Sequence, residues 1–119
     1  MDIYIASRLT DSEKAKKISD ELELNGHHIV FKWWEITEEL DEEQKKQIAL
    51  GEYDAVQSCE AIVFIPPGYK GSHFELGVAY ERNKKIFALK DVEGWKESIF
   101  HYLPNFHEVT EEELYEVLK

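Results

Sequence analysis

The chain has 119 residues, 43% hydrophobic and 33% charged, with 25 acidic against 14 basic side chains and a formal net charge of −11. The length suits one compact core, so a single domain over residues 1–119 is expected, and the apolar fraction excludes a disordered chain. The acidic balance repels phosphate backbones and anionic lipid, which argues against nucleic-acid polymers and membrane surfaces as partners but leaves room for one small anion in a local pocket.

Ile3 to Ala6 is a short β-rich run, ended by the polar Ser7-Arg8-Leu9-Thr10. Thr10 or Asp11 can cap a helix from Ser12 to Asn25, where Ala15, Ile18 and Leu22 recur at helical spacing and Asn25-Gly26 is a stop. His28 to Trp34 reads as a second strand, its consecutive Ile29, Val30 and Phe31 pointing to burial on both faces. A second helix is predicted over Asp41 to Ser58, on an apolar stripe of Ile48, Ala49, Tyr53 and Val56. Ala61 to Ile65 is the most apolar strand, Pro66 to Gly71 a loop, and Ser72 to Arg82 a third helix. Strand Lys85 to Leu89 follows, then a short helix around Trp95 to Tyr102 and a weak strand Phe106 to Val109. Thr110 with Glu113 forms a capping box for a terminal helix.

Strands and helices thus alternate throughout, the pattern of parallel strands joined by right-handed crossovers. The predicted fold is a doubly wound (flavodoxin-like) α/β sheet of about five strands in the order 2-1-3-4-5, with helices on both faces. In that order the helices after the first and third strands cover opposite faces, and a crevice opens between those strands at their carboxyl ends. Two loops must line it, Ser7 to Thr10 and Pro66 through Ser72.

The lone Cys59 excludes an internal disulfide and a cysteine-rich zinc site, fits a reducing, cytoplasmic setting, and is expected to be buried. No apolar run approaches the roughly 18 residues of a membrane span, and no basic segment followed by an apolar one marks a signal peptide. His27 and His28 point to opposite faces of a strand, and His73, His101 and His107 lack partners at metal spacing, so no metal site is expected. Trp33 and Trp34 are expected to pack one on each face of their strand.

The second crevice loop runs into Gly71-Ser72-His73-Phe74-Glu75-Leu76-Gly77-Val78-Ala79. Glycines permit close backbone approach, Ser72 can cap the helix, and N–H groups at the helix start favour an anion. Glu75 is expected in the first turn near the crevice mouth, where an acidic residue can also simply complement the helix dipole.

This segment, with Ile3-Tyr4-Ile5-Ala6-Ser7-Arg8 at the start and Asp54 before the third strand, resembles the nucleoside 2-deoxyribosyltransferases and their relatives, the deoxynucleoside monophosphate N-glycosidases. The resemblance spans Asp2 to about Leu89. It implies Glu75 as the nucleophile at the sugar anomeric carbon, Asp54 as the acid that interacts with the leaving base, and Tyr4 as a hydrogen-bond donor to the nucleophile. Such chemistry suits paired carboxylates, one to capture an oxocarbenium-like sugar and one to help the base depart. It implies no metal and no redox cofactor, and a pocket completed by a neighbouring subunit. A homodimer or larger symmetric oligomer is therefore expected, with the Asp41 to Ser58 helix as a contact surface.

Lys70 stands where the transferases carry acidic residues, and Ser7-Arg8-Leu9-Thr10 where the monophosphate hydrolases are glycine-rich. Ser7, Arg8, Gly68, Lys70, Gly71 and Ser72 are the expected substrate contacts, with Arg8, Lys70 and Ser72 able to hold a 5′-phosphate. The expected substrate is a nucleoside or nucleoside 5′-monophosphate. The competing reading is a non-catalytic nucleotide-binding sensor, which gains nothing from two carboxylates facing an anionic ligand. The catalytic reading carries a geometric expectation: the Glu75 and Asp54 carboxyls face one crevice roughly 5–8 Å apart, with Tyr4 reaching Glu75.

Overall fold

A computed structural model describes residues 1–119. Five parallel strands form one sheet in the order β2-β1-β3-β4-β5. They are β1 (Asp2–Ala6), β2 (His28–Ile29), β3 (Ala61–Phe64), β4 (Lys85–Leu89) and β5 (His107–Val109). The helices are α1 (Ser12–Leu24), α2 (Glu42–Ser58), α3 (Lys70–Glu81) and α4 (Glu111–Val117). Fold class, strand order and direction are those expected from the alternation of elements.

Each face of the sheet carries one pair of helices. Helices α2 and α3 pack against each other on one face, and α1 and α4 lie together on the other, tied by Lys14 and Lys17 to Glu111. All four β3 residues are buried, as a central strand covered on both faces requires. The α1 stripe Ala15, Ile18, Ser19 and Leu22 is buried against the sheet. Cys59 is buried in the same core and is a free thiol.

Three expected elements differ in extent. Strand β2 stops at Ile29 instead of running to Trp34. Its ladder would continue from His28 N–H on the Met1 carbonyl and Val30 N–H on Ile3 to residue 32 on Ile5. The Trp33 indole N–H takes the Ile5 carbonyl instead, at 2.8 Å. A side-chain donor thereby satisfies the acceptor, and the chain turns into a one-turn 3₁₀ helix at Trp33–Glu35. The two tryptophans consequently do not lie on opposite faces of a strand; they meet edge to face, with centroids 5.3 Å apart. Helix α3 starts at Lys70, two residues before the expected Ser72. The expected helix at Trp95 to Tyr102 contracts to a 3₁₀ turn at Ile99–Tyr102.

No helix is long and apolar enough to cross a membrane, and no group of three or more His, Cys, Asp or Glu side chains could hold a metal ion.

Candidate active site

Strands β1 and β3 are paired, so both expected loops leave the same carboxyl edge of the sheet. Beneath that edge, on the face covered by α2 and α3, the Tyr4 hydroxyl donates to Glu75 Oε2 at 2.5 Å in a buried hydrogen bond. Tyr4 lies on β1 and is fully buried; Glu75 is only 7% exposed.

Its position on α3 accounts for the depth of Glu75. Counting from Lys70, Glu75 is the sixth residue and sits in the second turn, not the first. The buried residues of α3 are Ser72, Glu75, Leu76 and Ala79, the i, i+3, i+4, i+7 stripe that faces the sheet. A glutamate on that stripe points inward rather than toward the helix dipole's solvent end. Ser72, expected as a cap, serves from inside the first turn: its hydroxyl accepts from Tyr69 N–H at 2.6 Å and donates to the Tyr69 carbonyl at 3.0 Å.

The second carboxylate is Glu52, which the sequence reading passed over. Glu52 is half-buried on α2, close enough to Glu75 for each carboxyl to act on the other's ionisation. Two neighbouring carboxyls resist being charged together. Burial, then the Glu52 charge, pushes Glu75 up to about 8, while the Tyr4 hydrogen bond pulls the other way. Burial also raises Glu52, while its interaction with Glu75 pulls the other way. The Tyr4 phenol is pushed far above its usual range by burial and by Glu75, so it remains a donor. At neutral pH Glu75 therefore holds a proton and Tyr4 stays a phenol.

Asp54 is not part of this group. It is exposed on α2. Successive helical residues turn by about 100°, so two positions from Glu52 is nearly the opposite face. The inward stripe of α2 runs Glu52, Ala55, Val56 and Cys59, and Asp54 falls between its members. A signal for Glu52 was present in the sequence: it continues the Ile48, Ala55, Val56, Cys59 stripe as a lone charge on an apolar face.

The expected substrate contacts divide in two. Gly68 and Lys70 line a cavity of about 340 Å³ with Pro67, Tyr69, Glu97 and Phe100. Gly68 has φ +71 and a Cβ there would come within 2.8 Å of the Phe64 ring, so only glycine fits the turn. Lys70 is exposed and stands over the Tyr69 ring, 5.6 Å from its centroid. Gly71 is exposed in the first turn of α3. On the other loop, the Ser7 hydroxyl donates to the Arg8 carbonyl at 3.0 Å. The Arg8 guanidinium pairs with Asp11 at 2.8 Å, which leaves its remaining N–H groups in solvent. Ser72 is buried and its hydroxyl is occupied by the helix start, so it does not reach the crevice.

No protein-family model matches the chain, and neither does any curated protein. Among solved structures, the fold is similar to that of the CMP N-glycosidase BcmB from Clostridium botulinum, with TM-score 0.66 and 21% identity over 99% of this chain and 98% of that one. It is also similar to a conserved protein from Enterococcus faecalis V583, with TM-score 0.68 and 16% identity over 99% of this chain and 96% of that one. The whole chain thus shares its fold with a CMP N-glycosidase.

Proposed function

We propose that the chain cleaves the base–sugar bond of a nucleoside or nucleoside 5′-monophosphate, as an N-glycosidase or a deoxyribosyltransferase. The observation that carries this reading is the buried Tyr4–Glu75 hydrogen bond beneath the carboxyl edge of the sheet, with the half-buried Glu52 acting on Glu75 from α2. The fold shared with a CMP N-glycosidase supports it.

The reaction needs Glu75 as carboxylate and Glu52 as acid. Substrate in the crevice moves the Glu75 proton to Glu52 and leaves Glu75 anionic, with the Tyr4 hydroxyl donating to it. Glu75 then forms a bond to the anomeric carbon as the bond to the base nitrogen breaks, and the Glu52 proton goes to the departing base. Water, or an acceptor base, next attacks the same carbon, loses a proton to Glu52 and frees Glu75. The chemistry runs on protein groups alone. Arg8 and Lys70, one from each loop, supply the charge for a 5′-phosphate, with the backbone N–H groups at the start of α3.

The second reading, a nucleotide-binding module without turnover, rests on the same fold, and on Arg8 and Lys70. One experiment separates the two. The protein is incubated with CMP, the other nucleoside and deoxynucleoside monophosphates, and free nucleosides, and released base is measured by chromatography. Base release is expected from at least one compound, and Glu75→Gln should lower it by at least ~10²-fold, about 2.7 kcal/mol of barrier. Nucleotide binding with no base released from any compound transfers the assignment to the binding module.

A further inference from the structure

His101 lies in the segment between β4 and β5 and is completely buried. Trp95 stacks on its face with centroids 5.1 Å apart and planes 15° from parallel, and Phe64 meets it edge-on at 5.2 Å. The Lys96 backbone N–H donates to His101 Nδ1 at 3.1 Å. A ring nitrogen that accepts carries no hydrogen, so the neutral His101 has its proton on Nε2. That nitrogen is 3.1 Å from His73 Nε2.

The two imidazole planes differ by only 5° and their centroids are 5.3 Å apart. That separation is close to the largest that two ring radii and a 3.1 Å nitrogen–nitrogen distance allow. The rings therefore lie end to end in one plane, the geometry of an N–H···N hydrogen bond and not of a face-to-face stack. His73 Nε2 accepts, and its proton on Nδ1 is donated to the Tyr69 carbonyl at 2.7 Å. A directed chain runs from Lys96 N–H through both rings to Tyr69, at the start of the helix that carries Glu75.

We propose that the His73–His101 pair is a proton-operated latch, which fastens the segment between β4 and β5 to the crevice rim at neutral pH and releases it in acid. The chain tolerates no extra proton. If His73 gains one, its Nε2–H faces the Nε2–H of His101. If His101 responds by moving its own proton to Nδ1, that N–H faces the Lys96 N–H. Either way one bond of the chain is lost beside a buried ring.

Charged groups approach from every packed element. Lys96 donates from Nζ to the His101 carbonyl at 3.3 Å and stands 3.6 Å from Glu108, which also accepts from the Trp95 indole. Glu97 and Lys70 share one groove with His73, and Glu81 and Arg82 share the other. Burial, then His73, lowers the His101 pKa against the pull of Glu97, with Lys96 adding to the lowering and the Pro67 carbonyl opposing it. His101 is thus neutral at neutral pH, as the fastened geometry requires. Release of the latch would open the 340 Å³ cavity, which is walled by Pro67 to Lys70 on one side and Glu97 to Phe100 on the other.

The latch does not depend on the proposed reaction, and its test reads no activity. Amide hydrogen exchange is followed at pH 8 and pH 5.5, corrected for the intrinsic pH dependence of exchange. In the wild-type chain, protection over residues 94–103 should fall by at least about tenfold at the lower pH while β1 and β3 keep theirs. In His73→Ala the same residues should exchange fast at both pH values. Equal wild-type protection at both pH values, or an unchanged pH dependence in His73→Ala, overturns the proposal. Nitrogen-15 spectra at pH 8 give an independent check: protonated Nε2 on His101 and protonated Nδ1 on His73 are expected. The opposite tautomer on either ring removes the chain and overturns the latch.

Discussion

Glu75 is a carboxyl kept above its usual range by burial beside Glu52, and this has a thermodynamic consequence at the scale of one residue. Unfolded, the group ionises near its ordinary value; folded, it holds its proton up to about pH 8. Between those values the folded state binds more protons, so stability falls as pH rises through that window and is greatest below it. Glu75→Gln keeps an acceptor for Tyr4 and has nothing to ionise. The wild type should therefore lose stability relative to Glu75→Gln between pH 5.5 and 8.5, by on the order of 1–3 kcal/mol, measured by urea unfolding at each pH. A constant difference across that range would mean that Glu75 ionises freely in the folded chain. The same pair separates Glu52 from Asp54. Given the proposed reaction, Glu52→Gln should slow base release by ~10- to 10²-fold and remove one limb of the pH profile. Asp54→Asn, on the exposed face of α2, should stay within about twofold. A large loss in Asp54→Asn with none in Glu52→Gln would reverse the two assignments.

At the scale of elements, the short β2 and the long α3 each trace to one side chain that takes a backbone group. The Trp33 indole occupies the Ile5 carbonyl and ends the β2 ladder. Trp33→Phe fills much of the same space but leaves that buried carbonyl without a donor, a loss of about 1–3 kcal/mol. The melting temperature should fall by roughly 4–12 °C by calorimetry; an unchanged value would mean that water or backbone replaces the indole. The Ser72 hydroxyl closes the first turn of α3 from within and lets the helix begin at Lys70. That start puts Glu75 in the second turn, and its spacing from Ser72, Leu76 and Ala79 puts it on the inward stripe. Gly68→Ala should disturb the same junction, since the new methyl meets both the Phe64 ring and the Ser72 hydroxyl in a left-handed backbone conformation.

At the scale of the whole molecule, the doubly wound topology collects the trio. Tyr4 comes from β1, Glu52 from α2 and Glu75 from α3, and the pairing of β1 with β3 brings them under one sheet edge. Beside them, α2 and α3 share an open cavity of about 480 Å³ lined by Tyr53, Phe74, Val78 and Arg82, with Phe74 largely exposed. We propose that a second copy of the chain covers this face, and light scattering at high concentration should report a dimer or larger symmetric assembly. A monomer at every concentration would overturn that expectation.

The sequence by itself determined the architecture: alternating periodicities, the apolar run Ala61 to Ile65 and the cap at Thr110 are local, and they led to the observed strand order. Through the resemblance of its short motifs to a known family it also brought Tyr4 and Glu75 forward as partners, 71 positions apart. The resemblance put Asp54 forward; Glu52 continues the apolar stripe of its helix, but only the packing of α2 against α3 brings it beside Glu75. Nor did the sequence join His73 to His101, which meet across 28 residues of chain. Those outcomes belong to the tertiary structure. Helical phase, burial and the direction of a shared proton depend on which faces meet, and the residues on those faces are far apart along the chain.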